Sequence, residues 1–369
     1  MKITHIEIYS YDLTYAFGTY VMSGGQAVES LASTVVRLVT DSGVEGWGEV
    51  CPLGPLYLES HAGGARAALE LVAPALIGLD PTNVGAVNAA MDRTLKGHRY
   101  AKSPVDVACW DILGKVAGQP VATLLGGRLQ ESFPLYKAVP LGPPEQMAEY
   151  VLARKVEGIR SFQVKIGADP YEDAERVRAV AGVTDAGDKL ICDANGGYRL
   201  QDAIIAGRLL EPLERVYYEQ PCATMEECIY VRQHTTLPMI LDEVITDTQS
   251  LLRAWHDGGM EALNLKISKF GGLSGAKFIR DLAGRLGLRL TIEDSWGGDL
   301  VSAAVSHLAA STPADTLFTV SFMNDWTNEH IAGYEPRSEQ GVGAAPAGPG
   351  LGISVNREML GEPLFVAGS

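Results

Sequence analysis

Phe162-Gln163-Val164-Lys165-Ile166-Gly167 is a short apolar run carrying one charged residue, and Leu190-Ile191-Cys192-Asp193-Ala194-Asn195 repeats the pattern so that Asp193 follows Lys165 by 28 residues. Runs this short, rich in β-branched residues and bounded by Gly or Asn, read as buried strands. Similar runs recur at 216–221, 239–243, 262–267, 289–294 and 316–322. Between them, residues 173–181, 203–210, 225–233 and 274–286 place apolar side chains at helical spacing. Strands alternating with helices at this pace must run parallel, because each helix carries the chain back to the starting edge. With 135–140 as a first strand, the economical closure is an α/β fold of the (β/α)7β type, a modified TIM barrel. A doubly wound open sheet competes, but no Gly-x-Gly-x-x-Gly turn follows a first strand to support dinucleotide binding.

Outward from the barrel the pattern changes. Strand-like segments at 3–13 and 33–40, a turn at Asp41-Ser42-Gly43, an aromatic-bearing loop at 47–57 and helical stretches at 62–76 and 104–117 read as a small α+β capping domain. The division expected is 1–130 for this cap, 131–322 for the barrel and 323–369 for a segment, rich in Gly, Pro and Ala over 341–352, that returns to the cap. Of the 369 residues, 46% are hydrophobic and 20% charged, which excludes intrinsic disorder. No apolar run approaches the roughly 20 residues of a membrane span. The start alternates polar and apolar residues like a strand and has no signal-peptide pattern, so a cytoplasmic location is expected. A formal charge of −15 without a basic patch argues against nucleic acid or an anionic membrane as partner. Cys51, Cys109, Cys192, Cys222 and Cys228 show no zinc or C-x-x-C spacing and read as buried thiols. A homo-oligomer acting on a small molecule is expected.

Lys165, Asp193, Glu219, Asp242, Lys266 and Asp294 stand at or near the ends of successive strands, separated by 28, 26, 23, 24 and 28 residues. In a barrel such positions converge on the C-terminal mouth, where barrel enzymes do their chemistry. Any one of them could be a satisfied polar group at a frayed strand end; six in phase make that improbable. Asp193, Glu219 and Asp242 on consecutive strands would repel one another unless a cation neutralised them, and oxygen ligands without His or Cys select Mg2+, one ion per site. Lys165 and Lys266, on either side of that triad, could address the two faces of a carbon acid as base and acid, with one ammonium lowered in pKa beside the metal. Lys269, three residues on, reads as a solvated lysine beyond the strand.

Several segments carry a resemblance: Gln163-Val164-Lys165-Ile166-Gly167, Cys192-Asp193-Ala194-Asn195, Tyr218-Glu219-Gln220-Pro221, Leu241-Asp242-Glu243, the stretch 264–273 from Asn264 to Leu273, and 103–115 before the barrel. Together they resemble the enolase superfamily, muconate-lactonising-enzyme subgroup, over nearly the whole chain. The resemblance implies metal ligands at Asp193, Glu219 and Asp242 and acid/base lysines at Lys165 and Lys266. One departure is Gln163, where that subgroup usually has the first lysine of a Lys-x-Lys, often near the substrate carboxylate. This change is shared by the branch acting on hydroxyprolines and proline betaines, which the chain also resembles around Trp47-Gly48-Glu49, 54–57, 97–102, 294–299 and 348–353.

The activity implied is Mg2+-assisted removal of the proton α to a carboxylate: cis-3-hydroxy-L-proline dehydration, with proline or proline-betaine racemisation beside it. The alternatives are a 4-hydroxyproline betaine 2-epimerase or proline betaine racemase and, from a different class, a noncatalytic barrel that binds a small ligand. Capping loops at 17–22 and 52–57 are expected to close over the site, with Tyr57, Gln163, Asp294, Trp296 and Phe322 as substrate contacts. Phe322 aligns with a tryptophan that holds the quaternary ammonium in the betaine epimerases, Trp326 lying four residues on. Phenylalanine is the weaker cation–π surface, which favours a less methylated substrate.

Overall fold

Antiparallel pairing brings the first three long strands together: β1 (Ile3–Thr14), β2 (Ser30–Thr40) and β3 (Glu45–Val50) lie side by side in that order, and Phe365–Gly368 adds to the other edge of β1. The computed structural model describes residues 1–368, so only Ser369 of the expected tail lies outside it. Helices α1 (Ala62–Val72), α2 (Val84–Thr94) and α3 (Arg99–Ala117) pack on this sheet around Ile6, Ile8, Val36, Leu38, Leu69 and Ile112. Two expectations need correction. Residues 47–50, read as the start of a loop, belong to β3; its glycines disguised it, and they are there because α3 lies directly on the strand. A Cβ at Gly48 would meet the Pro104 carbonyl oxygen at 2.0 Å, and one at Gly46 the Ala108 oxygen at 2.2 Å. α3 also begins five residues earlier than expected and carries Pro104 inside it. An interior proline costs about 3 kcal/mol, which burial of every residue from Ala101 to Cys109 offsets.

The barrel strands are β4 (Tyr136–Val139), β5 (Ser161–Lys165), β6 (Lys189–Asp193), β7 (Val216–Glu219), β8 (Met239–Leu241), β9 (Ala262–Lys266), β10 (Arg289–Glu293) and β11 (Leu317–Val320), all parallel and paired in sequence order. A parallel bridge from Leu135 to Val320 closes the ring. Seven helices, α4 (Pro144–Val156), α5 (Pro170–Ala181), α6 (Leu200–Leu210), α7 (Met225–Arg232), α8 (Thr248–His256), α9 (Leu273–Arg285) and α10 (Asp299–Ala310), fill the crossovers, which makes the fold a (β/α)7β barrel with a β-rich cap. Cap and barrel meet at an aromatic seam of Tyr15, Tyr20, Trp296 and Trp326. All five cysteines are buried and free. Among the described residues no helix is long and apolar enough to cross a membrane.

His307, buried on α10, ties three parts of the chain together. Its Nδ1 accepts from the Ala122 amide at 3.2 Å, so Nε2 carries the hydrogen and donates to the Leu351 carbonyl at 3.0 Å. A second ring proton would face a donor, and burial pushes the pKa from 6.5 down to about 4. Between those values the unfolded chain binds the proton and the folded one does not, so stability rises with pH across that window and is lost as pH falls. From pH 7 to pH 5 this site costs about 2 kcal/mol. His307→Gln, which keeps one donor and one acceptor, should show a correspondingly shallower loss in urea unfolding; identical losses in both proteins would refute the assignment.

Candidate active site

Side chains alternate along a strand, so residues two apart share a face. Gln163 and Lys165 on β5, Asn264 and Lys266 on β9, and Thr291 and Glu293 on β10 are such pairs. Strands β5 and β9 are the second and sixth of eight, which puts Lys165 and Lys266 on opposite walls of the barrel. Register aligns Lys165 with Asp193 and Asp193 with Glu219, while Lys266 aligns with Glu293. Asp242 follows the last residue of β8.

The Lys165 Nζ donates to Asp193 Oδ2 at 2.5 Å, and the Lys266 Nζ to Asp242 Oδ2 at 2.6 Å and Glu293 Oε1 at 2.5 Å. Glu219 accepts from Gln163 Nε2 at 3.0 Å and Asn264 Nδ2 at 2.6 Å. The Tyr57 hydroxyl, brought in by the cap, donates to Asp242 Oδ2 at 2.6 Å. Lys165, Asp193, Asp242 and Lys266 line one cavity of about 40 Å³, together with Tyr57, Gln163, Asp294, Trp296 and Trp326. Glu219 is buried beside this group but does not line the cavity. Tyr20, Met22, Leu53 and Tyr57 from the two capping loops complete the wall. A cavity this size has room for only a few waters. An outer cleft of about 760 Å³ adjoins it, sharing Tyr57 and Ser295.

Three expected positions are corrected. Phe322 does not line the cavity; it is buried against Phe133, ring centroids 5.9 Å apart, at a site where a Cβ on Gly343 would strike its ring. Trp326 faces the cavity instead, in contact with Tyr20 (5.7 Å) and Trp296 (5.8 Å). Lys269 is not solvated: it is buried, and its Nζ donates to Asp242 Oδ1 at 2.9 Å and to the Asp242 carbonyl at 2.8 Å. On β10 the in-phase residue is Glu293, whose oxygens take Lys266 and the Tyr136 hydroxyl. Asp294, one step past the strand, still lines the cavity, but its carboxylate accepts from the Ser268 and Ser295 amides (2.9 and 2.8 Å) and the Ser268 hydroxyl. Alternation from Thr291 through Glu293 was the signal that could have found the missed residue. Asn195, also unassigned from sequence, adopts a left-handed φ of 44° and donates its amide to Asp193 Oδ2 (3.0 Å) and Glu243 Oε1 (3.1 Å).

Electrostatically the site holds more carboxylate than it can compensate. Burial, then repulsion from Asp193 and Asp242, drives Glu219 well above the usual carboxylate range. Burial and the charges of Asp242 and Asp193 push Glu243 up to about 8, and burial takes Asp294 to about 6 against its hydrogen bonds. Asp242 moves down: burial opposes ionisation, but Lys266 and Lys269 outweigh it. Burial favours the neutral amine, yet Asp193 and Glu219 hold Lys165 above its ordinary value, and Asp242 and Glu293 do the same to Lys266.

The donor set suits a hard divalent cation: Asp193, Glu219 and Asp242 offer only carboxylate oxygens, and Asn195 Oδ1 and Glu243 Oε2 are further buried acceptors with no partner. Among the described residues no three acidic, His or Cys side chains already close around one point. Lys165, Lys266, Lys269, Gln163 and Asn264 each donate to a carboxylate oxygen of this group.

Residues 146–359 match the family model described as enolase C-terminal domain-like, and residues 19–126 the mandelate racemase/muconate lactonizing enzyme N-terminal domain. The chain is 45% identical over 364 residues, 99% of each protein, to a cis-3-hydroxy-L-proline dehydratase from Roseibium aggregatum. A crystal structure of a mandelate racemase/muconate lactonizing enzyme from Roseovarius nubinhibens superposes with a TM-score of 0.96 at 38% identity, covering 100% of this chain and 99% of that one. An enolase superfamily member from the same organism, complexed with magnesium, superposes at 0.93 and 35% identity with both chains fully covered.

Proposed function

Since the chain belongs to the mandelate racemase/muconate lactonizing enzyme family of the enolase superfamily and is an enzyme of it, we propose that it dehydrates cis-3-hydroxy-L-proline, starting with removal of the α-proton. The observation that carries this reading is the pair of lysines on opposite walls of one cavity. In the cis isomer the hydroxyl shares a ring face with the carboxylate, so the α-proton lies on the other face. Anti elimination then needs a base on one side and an acid on the other. One lysine takes the α-proton, the C–H electrons become the new C=C bond, and the hydroxyl departs as water after taking a proton from the second lysine. The cyclic enamine acid so formed tautomerises to the imine. The 45% identity to a dehydratase named for this substrate supports the choice.

Asp193, Glu219 and Asp242 would hold Mg2+, as their all-oxygen chemistry and the magnesium complex of a relative both support. When bound, the cation supplies Lewis-acid stabilisation for the negative charge developing on the substrate carboxylate. Gln163 would keep that end of the cavity free of a third ammonium. Asp294 would receive the substrate N–H groups, and Trp296 and Trp326 would pack against the ring with the capping loops closed to exclude water. The base must be a free amine, a state that burial favours and unneutralised carboxylates oppose.

The trans-3-hydroxy isomer presents proton and hydroxyl on one face, where two opposed lysines cannot divide the work. Comparison of kcat/KM for the cis and trans isomers, L-proline and proline betaine tests the reading. Preference for the cis isomer is expected; epimerisation of the betaine without elimination from the cis isomer would defeat it.

Substrate discrimination by ring contacts should follow position 326 and not 322. Trp326→Phe is expected to change the ratio of kcat/KM values for proline betaine and cis-3-hydroxy-L-proline by the equivalent of roughly 0.5–2 kcal/mol, the range for a cation–π contact. Phe322→Leu should lower stability by about 1–2 kcal/mol through lost packing and leave the ratio alone. A ratio that responds to Phe322→Leu and ignores Trp326→Phe would reverse this assignment.

A further inference from the structure

We infer that Lys269 is a positioning residue for the cation site, holding one oxygen of Asp242 so that the other is left to ligate. The inference rests on the reading of Asp193, Glu219 and Asp242 as cation ligands. The two oxygens of Asp242 stand in different surroundings. Oδ2 accepts from Lys266 and Tyr57, both of which line the inner cavity. Oδ1 accepts from Lys269, which lines the outer cleft and not the inner cavity.

The two lysines therefore hold Asp242 in different ways. Lys266 must exchange a proton with the substrate, which makes its grip on Oδ2 replaceable. Lys269 has a second anchor, the Asp242 carbonyl at 2.8 Å, that does not depend on the state of the carboxylate. Its side chain is 4% exposed, too buried to be a surface charge that swings between partners. A carboxylate gripped at one oxygen by a charge-assisted bond keeps a single orientation and presents the other oxygen. The ammonium also offsets one of the negative charges that a divalent ion leaves uncompensated among three ligating carboxylates. A neutral donor would supply the orientation without this charge, and an apolar side chain would supply neither.

The test is Mg2+ binding to metal-stripped protein by titration calorimetry and by the Mg2+-dependent rise in Tm, for wild type, Lys269→Met and Lys269→Arg. Lys269→Met, similar in length and uncharged, should bind Mg2+ about 10- to 100-fold more weakly, the usual effect of losing a group that orients a metal ligand. Lys269→Arg should recover most of that loss. Wild-type affinity in Lys269→Met would overturn the inference, even if the variant were less stable. If wild type itself takes up no divalent ion, the ligand assignment fails first and takes this inference with it. Should Lys269→Met not fold, a crystal structure of the Mg2+-loaded wild type decides the matter. Lys269 Nζ should remain on Asp242 Oδ1 there; Asp242 chelating through both oxygens, or Lys269 turned into the outer cleft, would overturn it.

Discussion

Lys165→Ala and Lys266→Ala are each expected to reduce turnover of cis-3-hydroxy-L-proline by roughly 10²- to 10⁴-fold, the contribution of a positioned acid or base, and to differ in what survives. Without the acid, the remaining base still removes the α-proton and returns one from solvent, so that variant should exchange the α-hydrogen in D2O while eliminating no water. Without the base, both processes stop. The opposed placement on β5 and β9 is what separates the roles, because neither lysine can reach across to serve the other face. Each variant also strips a buried partner from Asp193 or from Asp242 and Glu293, so circular dichroism must accompany the kinetics. Normal turnover in either folded variant would end the two-lysine account.

Metal removal should have an effect at least as large. Exhaustive chelation is expected to lower turnover by about 10³-fold or more, from the several kcal/mol that a Lewis acid contributes, and added Mg2+ should restore it. Asp193→Asn should lose both the rescue and most Mg2+ affinity, since a neutral amide oxygen replaces one of three charged ligands. Full activity after chelation would remove the cation from the mechanism.

The barrel was legible because its signal is repetitive. Strands such as Ser161–Lys165 and Lys189–Asp193 are short, apolar and one crossover apart, and each ends on a charged residue. The cap was less so. Glu45–Val50 hides behind Gly46 and Gly48, whose purpose is the close approach of α3 and can be seen only once the helix is in place. Val84–Thr94 buries only Val84, Val87, Ala90 and Met91, a thin apolar stripe that went unread. In the site, residues on strand ends were accessible to reasoning by phase, and Lys165, Asp193, Asp242 and Lys266 do share a cavity.

What phase could not give was direction at the turns. Asp294 and Glu293 are adjacent carboxylates at a strand end, and the register of Lys266 with Glu293 places Glu293 on the lysine. Lys269 lies beyond β9 in a short turn, Ser268–Phe270, that folds its side chain back onto Asp242; sequence spacing alone makes it look solvated. Phe322 and Trp326 are separated by the turn Met323–Trp326, whose curl decides which ring reaches the cavity.

The central claim is that the protein removes the α-proton of a proline-type acid, and proton NMR of cis-3-hydroxy-L-proline with the Mg2+-loaded enzyme in D2O tests it most directly. The α-proton resonance should disappear as the cyclic imine's signals grow, at rates that both collapse in the variant lacking the base lysine. A substrate spectrum that keeps its full α-proton intensity and shows no imine, with metal present and the protein folded, would contradict the account.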